Sequence, residues 1–379
     1  MRRLLIVVLL CSLVCPSVHA KEMEADDELN ITEMLDDYEF DEIDESLDEL
    51  FPKEKLDFKE TVLQIISGEL ELTGELLNRL VREQIGYAYG SCRSNLLHML
   101  LIALMAALFT NFSNVFQSRQ ISEVSFYILY LLLIALCLNS FQAVIDWVGD
   151  GVQSISGFMS VFCPIYFLAV SVAKGSVTAV AFYNLVLFLI FIVELLISKF
   201  LLPMIHVYIM IRVLNHLSEE DYMSKLAELI EIAVSWTLKS FLAGIIGLNV
   251  VQGLISPAID TVKRSAIART AEAIPGIGDA IGGTAEVVIG TAVLIKNGIG
   301  MAGAVICLAL CIVPLVQVGV IVLMYKLSAA IIQPVSDKRI VGCIESVAEG
   351  CRLLLKVVFT TGLLFLLTIV IVTTLTNSV

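Results

Sequence analysis

Long apolar stretches dominate the chain from about residue 95 onward. Five of them approach the roughly twenty apolar residues that a helix needs to cross a bilayer, while polar residues or glycines interrupt three weaker ones. The stronger stretches are residues 96–116, 124–145, 176–198, 301–325 and 357–376, and the weaker ones are 152–173, 201–217 and 232–256. The pattern predicts an all-α, polytopic membrane protein with six to eight membrane segments.

The first twenty residues have the pattern of a secretory signal peptide. Arg2 and Arg3 precede the apolar run 4–14, and Val18-His19-Ala20 has the small-x-small form of a cleavage site. The apolar run is too short for a stable membrane anchor. Cleavage after Ala20 is therefore expected, and it places the following segment outside the cytoplasm.

An acidic segment follows the signal peptide. Its apolar residues recur at loosely helical intervals among carboxylates, which favours a solvated acidic tail over residues 21–57 rather than a specific docking helix. Residues 58–89 have a clearer amphipathic pattern, weakened by Gly68 and Gly74. We expect three parts: a signal peptide (1–20), an acidic extracytoplasmic segment with amphipathic helices (21–94) and a multispanning membrane domain (95–379).

Composition supports the membrane class and excludes some partners. Hydrophobic residues make up 58% of the 379 residues and charged residues 16%, too few to build the polar shell of a soluble fold. Residues 21–60 alone carry 18 acidic and 4 basic side chains, so the net charge of −14 belongs to that segment. Because binding to nucleic acid requires a basic surface, nucleic acid is not an expected partner.

Charge at the ends of the apolar stretches predicts topology for the first half. Cytoplasmic loops of membrane proteins are enriched in Lys and Arg. This rule predicts an alternating series that starts with the external head. Arg119 then lies inside, a loop with Asp146 and Asp150 lies outside, and Lys174 lies inside. The second half does not alternate in this way, which leaves open a re-entrant hairpin or a helix buried in an assembly.

Residues 257–300 combine carboxylates with helix-breaking residues. Glu272, Asp279 and Glu286 recur every seven residues, but Pro275 and four glycines within 276–283 argue against one continuous helix. A helix, a Gly-rich break and a second helix fit better, either as a broken or re-entrant segment with functional carboxylates or as an interfacial element with its carboxylates in water.

Two short motifs in this region have chemical interpretations. The glycines at 276–282 resemble a dinucleotide-binding loop, but no strand precedes them. The string 276–279 has the GxGD form of intramembrane aspartyl proteases, whose chemistry needs a second, paired carboxylate. No such mate is evident, and chance explains the string better. The nine cysteines form no CxxC pair and the histidines are isolated, so neither a metal nor another cofactor is expected.

The next apolar stretch begins with a face of small residues. Gly298, Gly300, Ala302, Gly303 and Ala304 are spaced so that another helix backbone can approach closely. Close packing of helices within one chain requires such small residues, and so does contact between two copies of the chain. A homo-oligomer is therefore one of two interpretations.

The C-terminal half resembles the stage III sporulation protein AE family of endospore-forming bacteria. The resemblance rests on the Gly-rich approach to residue 283 and on a set of motif positions in and after the small-residue helix. These positions are Lys296, Asn297, Gly300, Gly303, Pro314, Gln333 and Pro334.

The resemblance implies a membrane subunit of the complex that joins mother cell and forespore, a specialised secretion channel. It implies further subunits of that complex as partners, among them an ATPase and a protein of the forespore membrane. It also implies a location in the mother-cell membrane around the forespore, and no catalytic residues. The alternatives are an autonomous permease for a small solute, motivated by Glu272, Asp279 and Glu286, and the GxGD protease.

Overall fold

Every regular element among the described residues of this computed structural model is helical, and these residues contain no strand. The structure describes residues 31–32, 34–35, 38–50, 57–67, 74–116, 119–174, 178–217, 221–271 and 278–375. The helices are α1 Asp41–Leu50, α2 Phe58–Ser67, α3 Gly74–Phe116, α4 Arg119–Lys174, α5 Thr178–Leu196, α6 Leu202–Asn215, α7 Ser224–Ala271, α8 Gly278–Ile332 and α9 Lys338–Leu375. A π-helical turn, Ile197–Leu201, joins α5 to α6.

The predicted fold class is confirmed. Within the described parts of the chain, five stretches are long and apolar enough to cross a membrane: Phe126–Ala173, Tyr183–Asn215, Ser224–Leu248, Gly290–Ile332 and Lys338–Val370. Predicted segments 124–145 and 152–173 are one helix, α4, and segments 176–198 and 201–217 join through the π-helical turn. The segment at 96–116 belongs to α3, whose described apolar part is the shorter Leu96–Ala106. This joining explains why the helices are fewer and longer than the predicted segments.

The alternating topology predicted for the first half is wrong in its central feature. No loop separates the two halves of α4, because Asp146, Gly149 and Asp150 lie within one continuous helix. At 1.5 Å per residue, a helix of 56 residues places its ends about 80 Å apart. Arg119 and Lys174 stand at those two ends and therefore do not share one side of a membrane that α4 crosses once.

Packing against other helices explains how α4 continues through two glycines. An interior glycine costs a helix roughly 1 kcal/mol relative to alanine. Here a Cβ at Gly149 would lie 3.7 Å from Leu202 Cδ1, and a Cβ at Gly151 would lie 3.0 Å from Pro314 Cβ. A Cβ at Gly149 would make only ordinary van der Waals contact, whereas Gly151 lets α8 approach the middle of α4 more closely than a larger residue would, and this tertiary contact outweighs the local propensity.

The acidic segment is not a solvated tail where the structure describes it. Tyr38, Ile43 and Leu47 are buried, and α1 packs on α4, while Phe58 and Val62 of α2 are buried against α8. On the opposite side of the same helix Asp41, Glu42, Glu45 and Asp48 are exposed, whereas Asp44 is half-buried. Because its apolar residues recur at loosely helical intervals, α1 has one apolar stripe. This stripe is the face that packs on α4.

Candidate functional site in helix α8

The predicted motif residues are spread along most of α8 and the turn that follows it. Lys296, Asn297, Gly300 and Gly303 lie within eight residues of each other, and Pro314 is buried three turns later. Gln333 and Pro334 are exposed in the turn between α8 and α9, about 55 Å along the axis from Lys296. The structure therefore brings the first four together and separates them from the last two.

Three glycines of α8 form a seam, here called the glycine seam: Gly298, Gly300 and Gly303. A Cβ at Gly298 would lie 2.7 Å from Ile66 of α2, and one at Gly300 would lie 2.8 Å from Thr373 Oγ1 of α9. A Cβ at Gly303 would overlap the Phe162 ring of α4. A side chain from a different helix thus packs against each glycine, and a larger residue there would force that side chain to shift.

Aromatic side chains fill the space that the seam leaves. Phe158, Phe162 and Tyr166 stack along α4 with ring centroids 5.5 and 5.3 Å apart. Phe58 of the acidic segment approaches Phe162 edge-on at 6.3 Å, and Phe40 lies 5.3 Å from Phe58. The aromatic series runs without a gap from the acidic segment to the centre of the bundle, with offset and edge-on geometries that aromatic quadrupoles favour.

A hydrogen bond joins α4 and α9 at the seam. Tyr166 Oη and Thr373 Oγ1 are 2.6 Å apart, and both side chains also border Gly300. A buried tyrosine hydroxyl needs such a partner because water cannot reach it. The glycine seam is therefore the point at which α2, α4, α8 and α9 meet.

Two polar residues precede the seam. Lys296 is fully buried, and the Oδ1 atom of Asn297 is buried without a hydrogen-bond partner in the structure. An ammonium group taken out of water requires acceptors from the protein, and a buried carbonyl without a donor costs free energy. Lys296 and the Oδ1 atom of Asn297 thus lie in the packed interior of the bundle beside the seam.

Two carboxylates of the acidic segment hold its own helices together beside the seam. Phe58 N–H donates to Asp44 Oδ1 at 2.8 Å, and Glu60 N–H donates to Asp57 Oδ1 at 2.8 Å. Both bonds satisfy free amides at the start of α2, where a helix dipole also favours negative charge. Burial raises the pKa of the Asp44 carboxyl, although the bond from Phe58 opposes that shift.

A charged cluster connects three helices at the other end of the bundle. Arg352 of α9 pairs with Glu349 at 2.6 Å and with Glu231 of α7 at 3.5 Å, and Lys326 of α8 pairs with Glu349 at 2.9 Å. Ionisable residues in apolar helices are costly unless they are paired. The cluster thus ties α7, α8 and α9 together through two half-buried carboxylates and two cations.

The three carboxylates predicted to share a helical face are not brought into a described site. Glu272 lies outside the described residues, between the end of α7 at Ala271 and the start of α8 at Gly278. Asp279 and Glu286 lie in the first turns of α8. Among the described residues, no group of three or more His, Cys, Asp or Glu is placed to hold a metal ion.

Several residues of the site carry only a weak signal in the sequence. Phe162 and Tyr166 are aromatic residues one turn apart in an apolar stretch, and nothing local indicates that a glycine 141 residues away faces Phe162. Glu349 and Arg352 have the i, i+3 spacing of an ion pair inside an apolar stretch, and that spacing is a usable signal.

The matches to known proteins agree on one family. Residues 56–376 match the family described as Stage III sporulation protein AE. The chain is 26% identical over 280 residues to Stage III sporulation protein AE of Bacillus subtilis (strain 168), which covers 74% of this chain and 70% of the relative. No solved structure matches the chain.

Proposed function

Because this chain belongs to the stage III sporulation protein AE family, we propose that it is a non-catalytic membrane subunit of a channel complex linking mother cell and forespore. A role in sporulation follows from the family, and the multi-pass helical fold places the protein in a membrane. The proposal adds the complex, its secretion function and a location in the mother-cell membrane that surrounds the forespore.

The observation that carries the proposal is the filling of the glycine seam. Gly298, Gly300 and Gly303 are occupied by side chains of α2, α9 and α4, so the motif residues of α8 support helix packing and leave no room there for a substrate. Residues that serve packing alone are expected in a structural or channel-forming subunit. An enzyme would require a concave site with convergent reactive groups.

The proposal also assigns the parts of the chain. Residues 1–20 act as a cleaved signal peptide, 21–94 lie outside the cytoplasm and 95–379 form the membrane domain. Because α1 and α2 pack on the bundle, the proposal treats the acidic segment as part of the surface that contacts the other subunits. The partners are other membrane subunits of the same complex, an ATPase in the mother cell and a protein of the forespore membrane. Contact between copies of this chain belongs to the same proposal.

An in-frame deletion in the native host tests the proposal. We expect normal growth, forespores that are engulfed but fail to mature, and a loss of heat-resistant spores of several orders of magnitude. Complementation with Asp279→Ala should restore spore counts to the wild-type level, since no catalytic role is assigned to this residue. Heat-resistant spores at normal numbers after deletion would refute the role in forespore development.

An autonomous small-solute permease is the second candidate, favoured by a polar cleft between α4 and α6. That cleft has a volume of about 480 Å³ and is lined by Asp146, Asp150 and His206 among others. Purified protein in liposomes should then accumulate solute without any partner. The third candidate, the GxGD protease, predicts that Asp279→Ala fails to complement the deletion.

A further inference from the structure

Helix α7 has two opposite sides. Val234 and Leu238 belong to a buried stripe that packs on the bundle, whereas Trp236 and Lys239 lie on the other side and are exposed. Of the five candidate membrane-spanning stretches among the described residues, Ser224–Leu248 is the least buried, with 17% of its apolar part inside the protein against 39–56% in the others. Within the described part of the chain, one side of α7 is therefore left uncovered.

Lys239 is a cation on this uncovered side. No hydrogen bond or ion pair joins it to another described residue. Every stretch of 18 residues within Ser224–Leu248 includes Lys239. Lys225, Glu228 and Glu231 keep the beginning of that stretch near the membrane surface, so the hydrocarbon layer falls on the later part and contains Lys239. A charge in this position is costly unless an opposite charge pairs with it.

Glu194 of α5 is an anion with the same problem. It lies within the candidate membrane-spanning stretch Tyr183–Asn215 and is half-buried, and no hydrogen bond or ion pair joins it to another described residue. Moving the hydrocarbon layer past Glu194 toward the end of that stretch would bring Lys199 and Arg212 into it instead. A layer that contains Glu194 alone is therefore the less costly placement.

The two charges lie at similar depths. Helix α7 follows α6 after a short connection and packs against it, so the two helices are antiparallel. Lys239 is fifteen residues from the beginning of α7, which places it level with about residue 200 and roughly 9 Å along the axis from Glu194. Rotation about the membrane normal keeps every residue at its depth. A cyclic assembly therefore brings Lys239 of one copy and Glu194 of the next to nearly the same level.

We propose that α5 and α7 form the contact between copies of this chain, with Lys239 of one copy paired to Glu194 of the next. Exposed Trp236, Phe188 and Phe191 lie on the same two helices and supply apolar contact area. Lipid tails cover an aromatic side chain equally well, but they cannot neutralise a charge, whereas a second copy neutralises both charges at once. The inference rests on the contact between copies in the proposed function and adds the surface that makes it.

Energy transfer between copies in phosphatidylcholine vesicles tests this surface. Full-length chains carry a donor or an acceptor dye on a C-terminal tag, and the ratio of protein to lipid is varied. We expect saturable transfer for the wild-type chain. Because like charges then face each other, Lys239→Glu and Glu194→Lys should each need at least about a tenfold higher protein density for half-maximal transfer. Glu45→Lys, a reversal at an exposed carboxylate of α1, should leave the curve unchanged.

A mixture of Lys239→Glu chains with Glu194→Lys chains separates pairing between copies from pairing within one copy. Each variant supplies the charge that the other lacks, so transfer between the two should return at the wild-type density. Pairing within one chain instead predicts recovery only in the double variant, and that result overturns the proposal. A wild-type chain that stays monomeric, or that associates only after another membrane subunit is added, overturns it as well.

Neutral variants replace the charge reversals if either of those loses helicity in circular dichroism. Lys239→Gln and Glu194→Gln should then each weaken association, and wild-type association of both is the refuting result. The vesicle measurement uses the purified chain and does not depend on spore formation. A monomeric chain would therefore remove this surface and leave the spore phenotype of the deletion, and with it the proposed role in sporulation, as a separate result.

Discussion

At the scale of single residues, the smallest side chains of α8 occupy the most crowded positions. Within about one and a half turns, the glycine seam accepts an aliphatic side chain, a threonine and an aromatic ring. In lipid, helices gain little from hydrophobic association, so close packing at small residues supplies much of the attraction between them. The side chains that face these positions therefore explain why glycine occupies them. Helix propensity does not, because it disfavours glycine at each of them.

Gly303→Ala is predicted to destabilise the protein by about 1–3 kcal/mol, the usual cost of overpacking a filled core. The added Cβ would overlap the Phe162 ring. Thermal unfolding of the purified protein in detergent measures the effect. Gly319→Ala is the matched control in the same helix, because a Cβ there meets nothing within 4 Å, and it should be neutral or stabilising. Equal melting temperatures for the two variants would contradict the packing of the seam.

Asp44 is predicted to make the docking of α2 depend on pH. Burial raises the pKa of Asp44, so the folded state holds its proton more tightly than the unfolded state. Its stabilising contribution is therefore complete below about pH 4, the range of an ordinary aspartate, and is lost as the pH rises through the folded-state pKa. Asp44→Asn keeps an acceptor for Phe58 N–H without the charge, and should reduce this pH dependence.

Hydrogen-exchange protection of residues 57–67, compared at acid and neutral pH, measures that prediction. Asp44→Ala removes the acceptor and should lower protection by about 1 kcal/mol at either pH. Asp41→Asn, an exposed carboxylate of the same helix, should leave protection unchanged. Identical behaviour of Asp44→Asn and Asp44→Ala would show that the bond to Phe58 does not hold α2.

At the scale of helices, the bundle is fastened at two places of different chemistry. The glycine seam joins α2, α4, α8 and α9 by close packing, whereas the charged cluster joins α7, α8 and α9 by ion pairs. Glu349 is the centre of that cluster because it accepts both Lys326 and Arg352. Its partners come from two helices, so the loss of one carboxylate loosens more than one contact.

Glu349→Gln is predicted to destabilise the protein by about 1–2 kcal/mol, as expected for loss of a partly buried charge-assisted contact. Glu228→Gln is the control, since the Lys225–Glu228 pair is exposed and lies within one helix. It should change stability by less than about 0.5 kcal/mol. Chemical unfolding in mild detergent measures both variants, and equal effects would rule out a special role for the cluster.

At the scale of the whole molecule, the helices are longer than one membrane requires. Phe126–Ala173 has 48 residues and is about 70 Å long, more than twice the hydrocarbon thickness. Gly290–Ile332, with 43 residues, packs beside it. Each of these two helices is therefore longer than the hydrocarbon layer of one bilayer is thick.

The continuity of α4 predicts that Arg119 and Lys174 lie on opposite sides of the membrane. Arg119→Cys and Lys174→Cys, each labelled with a membrane-impermeant maleimide, test this. One variant should be labelled in right-side-out vesicles and the other in inverted vesicles. Labelling of both from the same side would require a reversal within α4 and would restore the loop at Asp146 and Asp150. The unsubstituted chain corrects for reaction of its own cysteines.

Properties that depend on local composition were predictable from the sequence. The all-helical membrane class follows from apolar stretches near the length of a bilayer, and the family follows from residues clustered around Lys296 to Gly303 and Gln333. The acidity of residues 21–60 is likewise a property of that segment alone. Each of these inferences needs only residues that are neighbours in the chain.

Properties that depend on distant partners were decided by the tertiary structure. Whether α4 is one helix or two depends on the helices that pack against it, chiefly α8 at Gly151, because local propensity at two glycines and two aspartates favours a break. The docking of α1 depends on a surface of α4, and the filling of Gly303 depends on Phe162, which lies 141 residues away. Hydrophobic periodicity indicates which face of a helix seeks burial, but the burial partner belongs to the fold, since packing energy comes from contacts that the chain order does not specify.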